Sequence, residues 1–306
     1  MQRRLGTDWQ LQFRMAFTMM LLAVVYLVFA VVLYRSGAGF VTIAIFLGGL
    51  ALAQYYFSDR LVLATTGARI VGDHDLPEVQ DMLSRLAAMA DLPKPRLAVI
   101  QSAMPNAFAT GRDPRHAIVA VTTGLVNTLS APEVEAVLGH ELTHVRNRDV
   151  AVMAMASFFS TIAAWLSQSL LFMGGGFGGG FGGGRRRGDS LGVVLLVSWL
   201  VYMVSFLLIM ALSRYREYAA DRGSALLTGH PANLASALMR ISGTMDRIPT
   251  RDLRQAAPHN ALFILPAATG REDFMELLQT HPNLQHRLAR LRRLELELAG
   301  SGTKGR

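Results

Sequence analysis

Hydrophobic residues are concentrated in blocks along this chain. Four stretches carry no charged residue: 15–34, 40–57, 150–173 and 191–212, of 20, 18, 24 and 22 residues. Crossing the hydrocarbon core of a bilayer takes about 20 apolar residues, so all four are long enough, the second only just. Helices on a soluble core normally show a polar stripe, which these lack. The first stretch exceeds the apolar core of a cleaved leader and has no convincing A-x-A site, so it is expected to be retained. Residues 15–34 and 40–57, joined by the short segment 35–39, predict one membrane hairpin within residues 1–57. Residues 150–173 and 191–212 predict a second. The competing reading of either pair is a set of buried helices in a soluble core.

Between the hairpins lies a polar part, residues 58–149, and residues 213–306 form another. Inside the second hairpin, residues 174–190 read GGGFGGGFGGGRRRGDS, with nine glycines among residues 174–184. Such a composition predicts a flexible linker. A phosphate-binding loop is excluded, since no strand precedes it and no GK[ST] follows.

The polar parts read mostly as helix. Asp75-Leu76-Pro77-Glu78 has the pattern of a capping box, and Val79, Met82, Leu83 and Leu86 follow at helical spacing. Residues 96–101, 106–110 and 116–122 are rich in β-branched residues or extended in pattern, and they predict a small sheet. Ser130-Ala131-Pro132-Glu133 is a second capping box. It opens a helix whose apolar positions are Val134, Val137, Leu138, Leu142 and Val145. A tail helix over 283–298 carries Leu284, Leu288, Leu291, Leu294 and Leu298 near one face. Its Arg287, Arg290, Arg292 and Arg293 suit either lipid head groups or a solvated face packed on the domain.

Composition narrows the chemistry. Of 306 residues, 51% are hydrophobic and 17% charged, which excludes intrinsic disorder. Cysteine is absent, so there is no disulfide and no thiolate metal site; a metal must use His, Asp or Glu. The net charge of +8 belongs mainly to the flanks of the apolar stretches and to the tail, and no nucleic-acid-binding motif accompanies it. Arg3, Arg4, Arg14, Arg60, Arg69, Arg146, Arg148, Arg214 and Arg216 flank the four stretches on one side. The positive-inside rule makes that side cytoplasmic. Arg185–Arg187 would then face the other side, against the rule.

The helix opened by Ser130 contains His140-Glu141-Leu142-Thr143-His144. Histidines at i and i+4 share one helical face, a spacing that lets two imidazoles bind one zinc ion. Glu141 stands where it can take a proton from a metal-bound water. Gly139 keeps one side of the helix slim. A catalytic zinc also needs a third protein ligand. Just after the fourth apolar stretch, Glu217 and Asp221 again stand at i and i+4, within Ser213-Arg214-Tyr215-Arg216-Glu217-Tyr218-Ala219-Ala220-Asp221. Glu217 suits a metal ligand, and Asp221 suits a hydrogen-bond partner for a ligating imidazole. Two unrelated surface histidines and a solvated acidic pair are the bland alternatives.

Together these motifs resemble the HtpX family of membrane-bound zinc metalloproteases, related to the CAAX prenyl proteases. Asn106-Ala107-Phe108-Ala109-Thr110-Gly111, HELTH at 140–144, SRYREYAAD at 213–221 and Thr280-His281-Pro282-Asn283-Leu284-Gln285-His286-Arg287 carry the resemblance in order. It implies a mostly α, multi-pass membrane protein with four hydrophobic segments. Its zincin domain would be of the Glu-ligand type, with a small β-sheet. The expected cofactor is one Zn2+ per chain on His140, His144 and Glu217, with Glu141 as the catalytic acid-base and Asp221 behind a ligand.

Asn106, Ala107, Phe108 and Ala109 are implied to lie at a sheet edge where a peptide substrate pairs by strand addition. His281 resembles the residue that stabilises the tetrahedral oxyanion, and Arg287 reads as an orienting or structural residue. The remaining histidines, His74, His116, His230, His259 and His286, have no ligand spacing. The implied activity is cytoplasmic-side endopeptidase cleavage of misfolded or membrane proteins at the inner membrane. The partners are protein substrates, the bilayer and other membrane quality-control proteases, without nucleic acid. A CAAX-type prenyl protease and a non-catalytic zinc-binding membrane scaffold are the alternatives.

Overall fold

The computed structural model describes residues 9–35, 49, 52, 56, 59–154, 156, 160, 185–245, 247, 264 and 282–303. The described helices and strands are α1 (Trp9–Arg35), β1 (Arg69–Ile70), α2 (Pro77–Met89), β2 (Arg96–Ile100), β3 (Ala107–Thr110), β4 (Ile118–Thr122) and α3 (Thr123–Thr128). They continue with α4 (Ala131–Arg146), α5 (Arg185–Thr228), α6 (Pro231–Met245) and α7 (Leu284–Thr303). A further helical segment runs over 59–66. The fold is mostly helical with one small sheet.

The first and fourth apolar stretches fall in α1 and α5, and two segments, Trp9–Val31 and Leu195–Thr228, are long and apolar enough to span a bilayer. A buried core helix would hide most of its surface. Here only 22% and 33% of the two apolar segments are buried. Phe13, Leu27 and Val28 of α1 and Val193, Leu196 and Trp199 of α5 all face outward. So much exposed apolar surface fits lipid rather than water. Where the two helices meet, Leu22 packs with Ile209, Met210 and Leu212, and Phe29 packs with Val201. Val152, Met153 and Ala156, from the start of the third stretch, join the first of these clusters. Most of the second and third stretches, and residues 174–184 of the expected linker, lie outside the described residues. Residues 185–190 belong to α5, so that helix starts before the apolar stretch does.

The sheet has the order β1-β2-β4-β3. Strands β2 and β4 are parallel, with Arg96 opposite Ile118, whereas β3 runs antiparallel to β4, with Phe108 opposite Ala120. All five residues of β4 are buried, as a strand between two neighbours and two covered faces requires. One face packs on α2 and α4 through Leu83, Leu97, Val119, Val121 and Leu138. The other packs Phe108, Ile118 and Ala120 under Val62 and Leu63 of the 59–66 helix. Strand β3 is an edge.

Helix α2 buries Val79, Met82, Leu83 and Leu86 as its spacing predicts. Its expected capping box does not form. Pro77 takes the first helical position and keeps the residue before it out of the right-handed helix; Leu76 is left-handed there, at φ 51°. Asp75 turns back, and its carboxylate accepts from Gly72 N at 3.1 Å. At α4 the expected pairing is present: the Glu133 carboxylate accepts from Ser130 N and Ser130 Oγ, both at 2.8 Å. Glu133 also accepts from Ser236 Oγ at 2.6 Å and lies 3.0 Å from Arg240 Nε, fastening the start of α4 to α6.

A candidate metal centre between two helices

Helices α4 and α5 cross at close range because small residues face each other. A Cβ on Gly223 would lie 2.3 Å from Thr143 Cγ2, and one on Gly139 would lie 3.2 Å from Ser224 Oγ. Ser224 Oγ donates to the Ala136 carbonyl at 2.6 Å. This approach brings the HELTH face of α4 against Glu217 of α5.

His140, His144 and Glu217 are all buried, and together they can hold a metal ion. The two Nε2 atoms stand 3.1 Å apart, His140 Nε2 is 3.5 Å from Glu217 Oε2, and His144 Nε2 is 3.6 Å from Glu217 Oε1. A tetrahedral ion with bonds of about 2.0–2.1 Å has ligand–ligand edges of roughly 3.3 Å. The two nitrogens and the Glu217 carboxylate, which turns a different oxygen to each nitrogen, therefore stand at separations near the edges of such a tetrahedron, and the nitrogen and carboxylate donors suit a divalent first-row metal.

Each imidazole is held from behind. Asp221 Oδ1 lies 3.1 Å from His140 Nδ1, and Asp149 Oδ2 lies 2.6 Å from His144 Nδ1. Carboxylates in these places direct Nε2 toward the ligand face. Burial opposes charge on His140, but its bonds with Asp221 and Glu217 outweigh it and hold the imidazole at about 9. Asp221 in turn is gripped by Arg287, whose Nε and Nη2 donate to its two oxygens at 2.9 and 2.6 Å. Burial disfavours the Asp221 charge, yet the Arg287 guanidinium and the hydrogen bonds keep its carboxyl below the usual range.

Glu141 is buried beside the two histidines. Burial pushes its carboxyl up, against the opposing pull of His140, His144 and the Ala109 backbone amide. That amide belongs to edge strand β3. Thr122 N donates to Asn106 O at 2.9 Å, so alternation makes Phe108/Ala120 a hydrogen-bonded pair and turns the backbone groups of Ala107 and Ala109 away from β4. The Phe108 side chain is buried under the 59–66 helix. Asn106 Oδ1 accepts from Ile264 N at 3.0 Å, and the Ile264 carbonyl accepts from Arg287 Nη1 at 2.8 Å.

The structure thus gathers His140, His144, Glu217, Glu141 and Asp221 at one point, with Ala109 beside them and Asn106 tied in through Ile264 and Arg287. His281 lies outside the described residues. Asp149 and Arg216, whose Nε is 3.2 Å from Asp149 Oδ2, were not among the expected site residues; an acidic residue at the very border of an apolar stretch was the available signal. Arg287 has no exposed surface and faces the site rather than lipid. Arg290 stacks over Tyr218 at 4.4 Å, and Leu291 and Leu294 are buried, so this part of the tail packs on the domain.

The model of peptidase family M48 matches residues 73–295. A "Protease HtpX homolog" from Moorella thermoacetica is 55% identical over 298 residues, covering 97% of this chain and 99% of that one. A "Protease HtpX homolog 2" from Methanosarcina acetivorans is 53% identical, covering 98% and 100%. In architecture the chain is similar to the crystal structure of S. mikatae Ste24p, with a TM-score of 0.57 at 18% identity, covering 92% of this chain and 66% of that one. The last likeness concerns fold alone. With a family match that takes in both ligand helices and relatives alike over almost their full length, the chain belongs to peptidase family M48, among the HtpX proteases, and is a membrane metalloprotease.

Proposed function

We propose that the protein is a zinc endopeptidase that hydrolyses misfolded or membrane proteins at the cytoplasmic face of the cell membrane, in protein quality control. The observation that carries the chemistry is the pair of imidazole nitrogens 3.1 Å apart, each 3.5–3.6 Å from an oxygen of the Glu217 carboxylate, with a buried carboxyl, Glu141, beside them. His140, His144 and Glu217 hold the ion; Asp221 and Asp149 fix the two imidazoles. Zinc bound there would polarise the peptide carbonyl and lower the pKa of a water. Glu141 accepts the proton of the attacking water and delivers it to the leaving amine. A carboxyl raised by burial suits that exchange better than an exposed one.

Among the described strands, β3 has a neighbour on one side only, and an extended segment adds as a strand on the side turned away from β4. Such pairing reads backbone rather than side chains, which suits unfolded substrates of varied sequence. Asn106 fixes the start of that edge through Ile264. His281 is assigned oxyanion stabilisation by resemblance to the family motif. Four membrane segments, paired as 15–34 with 40–57 and 150–173 with 191–212, divide the peptidase domain into residues 58–149 and 213–306, and the flanking arginines support a cytoplasmic site. Other membrane quality-control proteases are the expected working partners. The test is Glu141→Gln. It should bind zinc stoichiometrically and cut an unfolded casein-type substrate at least about a hundredfold more slowly; wild-type cutting by this variant would remove Glu141 from the mechanism.

A further inference from the structure

Edge strand β3 has a direction relative to the bilayer. The apolar half of α5 ends at Leu212, and Glu217 follows five residues later, about 7.5 Å farther along the helix axis. Val152, Met153 and Ala156 cluster with Leu212, so α4, which leads toward them, also approaches the membrane side at its C-terminal end. Just past β3, Arg112 lies 5.6 Å over the ring of Tyr56, a residue at the end of the second apolar stretch. At the other end of the strand, Asn106 connects through Ile264 and Arg287 to Asp221. Asp221 is one helical turn farther from Leu212 than Glu217. Strand β3 therefore runs from the far side of the site toward the bilayer.

A segment that adds to β3 does so best antiparallel, because antiparallel pairs are the more stable per residue. The outward groups of Ala107 and the Ala109 carbonyl are also spaced for that pairing, while the Ala109 amide faces Glu141. The N-terminal side of the bound segment then lies beside Arg112, at the membrane, and its C-terminal side lies beside Asn106. From this geometry we propose that the protease selects membrane substrates by polarity. It cuts segments that follow a membrane span, with the span on the N-terminal side of the scissile bond, and it disfavours segments that precede their span. This rests on the peptidase reading and on β3 as the substrate platform.

The reach is short. A tail leaving the bilayer needs only a few extended residues, at about 3.3 Å each, to arrive at Glu217. A head must pass the site, enter from the Asn106 end and run back along β3, which takes roughly ten to fifteen residues more.

The test uses the full chain, loaded with zinc and reconstituted in nanodiscs, and three substrates sharing one unfolded cleavable segment. In the tail substrate the segment follows a single span after about six residues; in the head substrate it precedes the span at the same distance; the third is the free peptide. The tail should be cut at least about tenfold faster than the head. The head should recover when its spacer is lengthened by about fifteen residues. Cutting of the free peptide with equal head and tail rates, or with a faster head, overturns the polarity and leaves the peptidase reading standing. Failure to cut any of the three overturns the peptidase reading and the polarity with it.

Discussion

Asp149 and Arg287 show how much of the site lies behind its ligands. Arg287 reaches one ligand oxygen, Glu217 Oε2, at 3.6 Å, but its main hold is on Asp221 by two hydrogen bonds, and Asp149 fixes His144 at 2.6 Å. Losing such a partner typically costs 10–100-fold in metal affinity. Asp149→Asn should accordingly weaken zinc binding by about that factor while the helical content is kept. Competition against a chelator of known affinity measures the first and circular dichroism the second; unchanged affinity would make Asp149 a packing residue. Their legibility differs for a physical reason. His140, Glu141, His144, Glu217 and Asp221 lie within two helices, where spacing of four places side chains on one face. Asp149 reaches His144 around a helix end, past Arg148 at φ 56°. Arg287 meets a partner 66 positions earlier in the chain, and no local pattern announces that contact.

Between elements, the crossing of α4 and α5 decides whether the ligands meet. Thr143 is stiff at χ1, and its Oγ1 is already committed to the Gly139 carbonyl at 2.8 Å. It cannot swing aside for a methyl group at residue 223. Gly223→Ala should destabilise the protein by about 1–3 kcal/mol and reduce activity more than stability alone explains, since Glu217 is moved from the histidines. Adding Thr143→Ala should restore much of both. Thermal unfolding and proteolytic rate, measured on the single and double variants, test this; a single variant of full activity would show that the helices can separate without cost.

The start of α4 makes a pH prediction. Burial disfavours charge on Glu133, but bonds from Ser236 and Ser130 and the nearby Arg240 outweigh it and leave its pKa lowered. A carboxyl lowered in the folded state stabilises the fold above its unfolded pKa, about 4.5. That contribution fades as pH falls through the lower folded value. Ser236→Ala should therefore lower the melting temperature at pH 7 and leave a shallower loss below about pH 4.5. Equal acid profiles for both proteins would rule this contact out as a determinant. The Ser130 box was readable because both partners lie within four residues; the false box at Asp75 was misread because Pro77 moved the helix start by one position.

At the scale of the whole molecule, the candidate metal centre lies on α5 beyond the apolar part of that helix, where α5 meets α4 of the sheet-containing core. Its ligands come from two helices far apart in sequence, so a bound ion crosslinks them and adds stability by mass action. Dialysis against a chelator should abolish cutting and lower the melting temperature, and zinc should restore both. Loss of activity without any thermal shift would mean that the helices are held together without the ion. The apolar blocks and their order were plain in the sequence. Strands β2, β3 and β4 were readable to within two residues at each end, because β-branched runs alternate with turn residues there; the two-residue β1 is too short to leave a pattern. How α1 lies on α5 was not, since helices facing lipid are apolar all round and carry no stripe to mark the buried side.

The 44-residue α5 also sets the order in which the site comes into being. Ribosomes release the chain from its N-terminus, and segments fold as they emerge. The HELTH helix is complete by Arg146, but Glu217 appears 73 residues after His144, and Arg287 70 residues later still. A nascent chain thus carries two histidines and a carboxylate that cannot yet close on an ion. The apolar residues 191–212 must leave the ribosome and find lipid before the third ligand arrives. Cutting power therefore waits until α5 has been made as far as Glu217 and set against the HELTH helix.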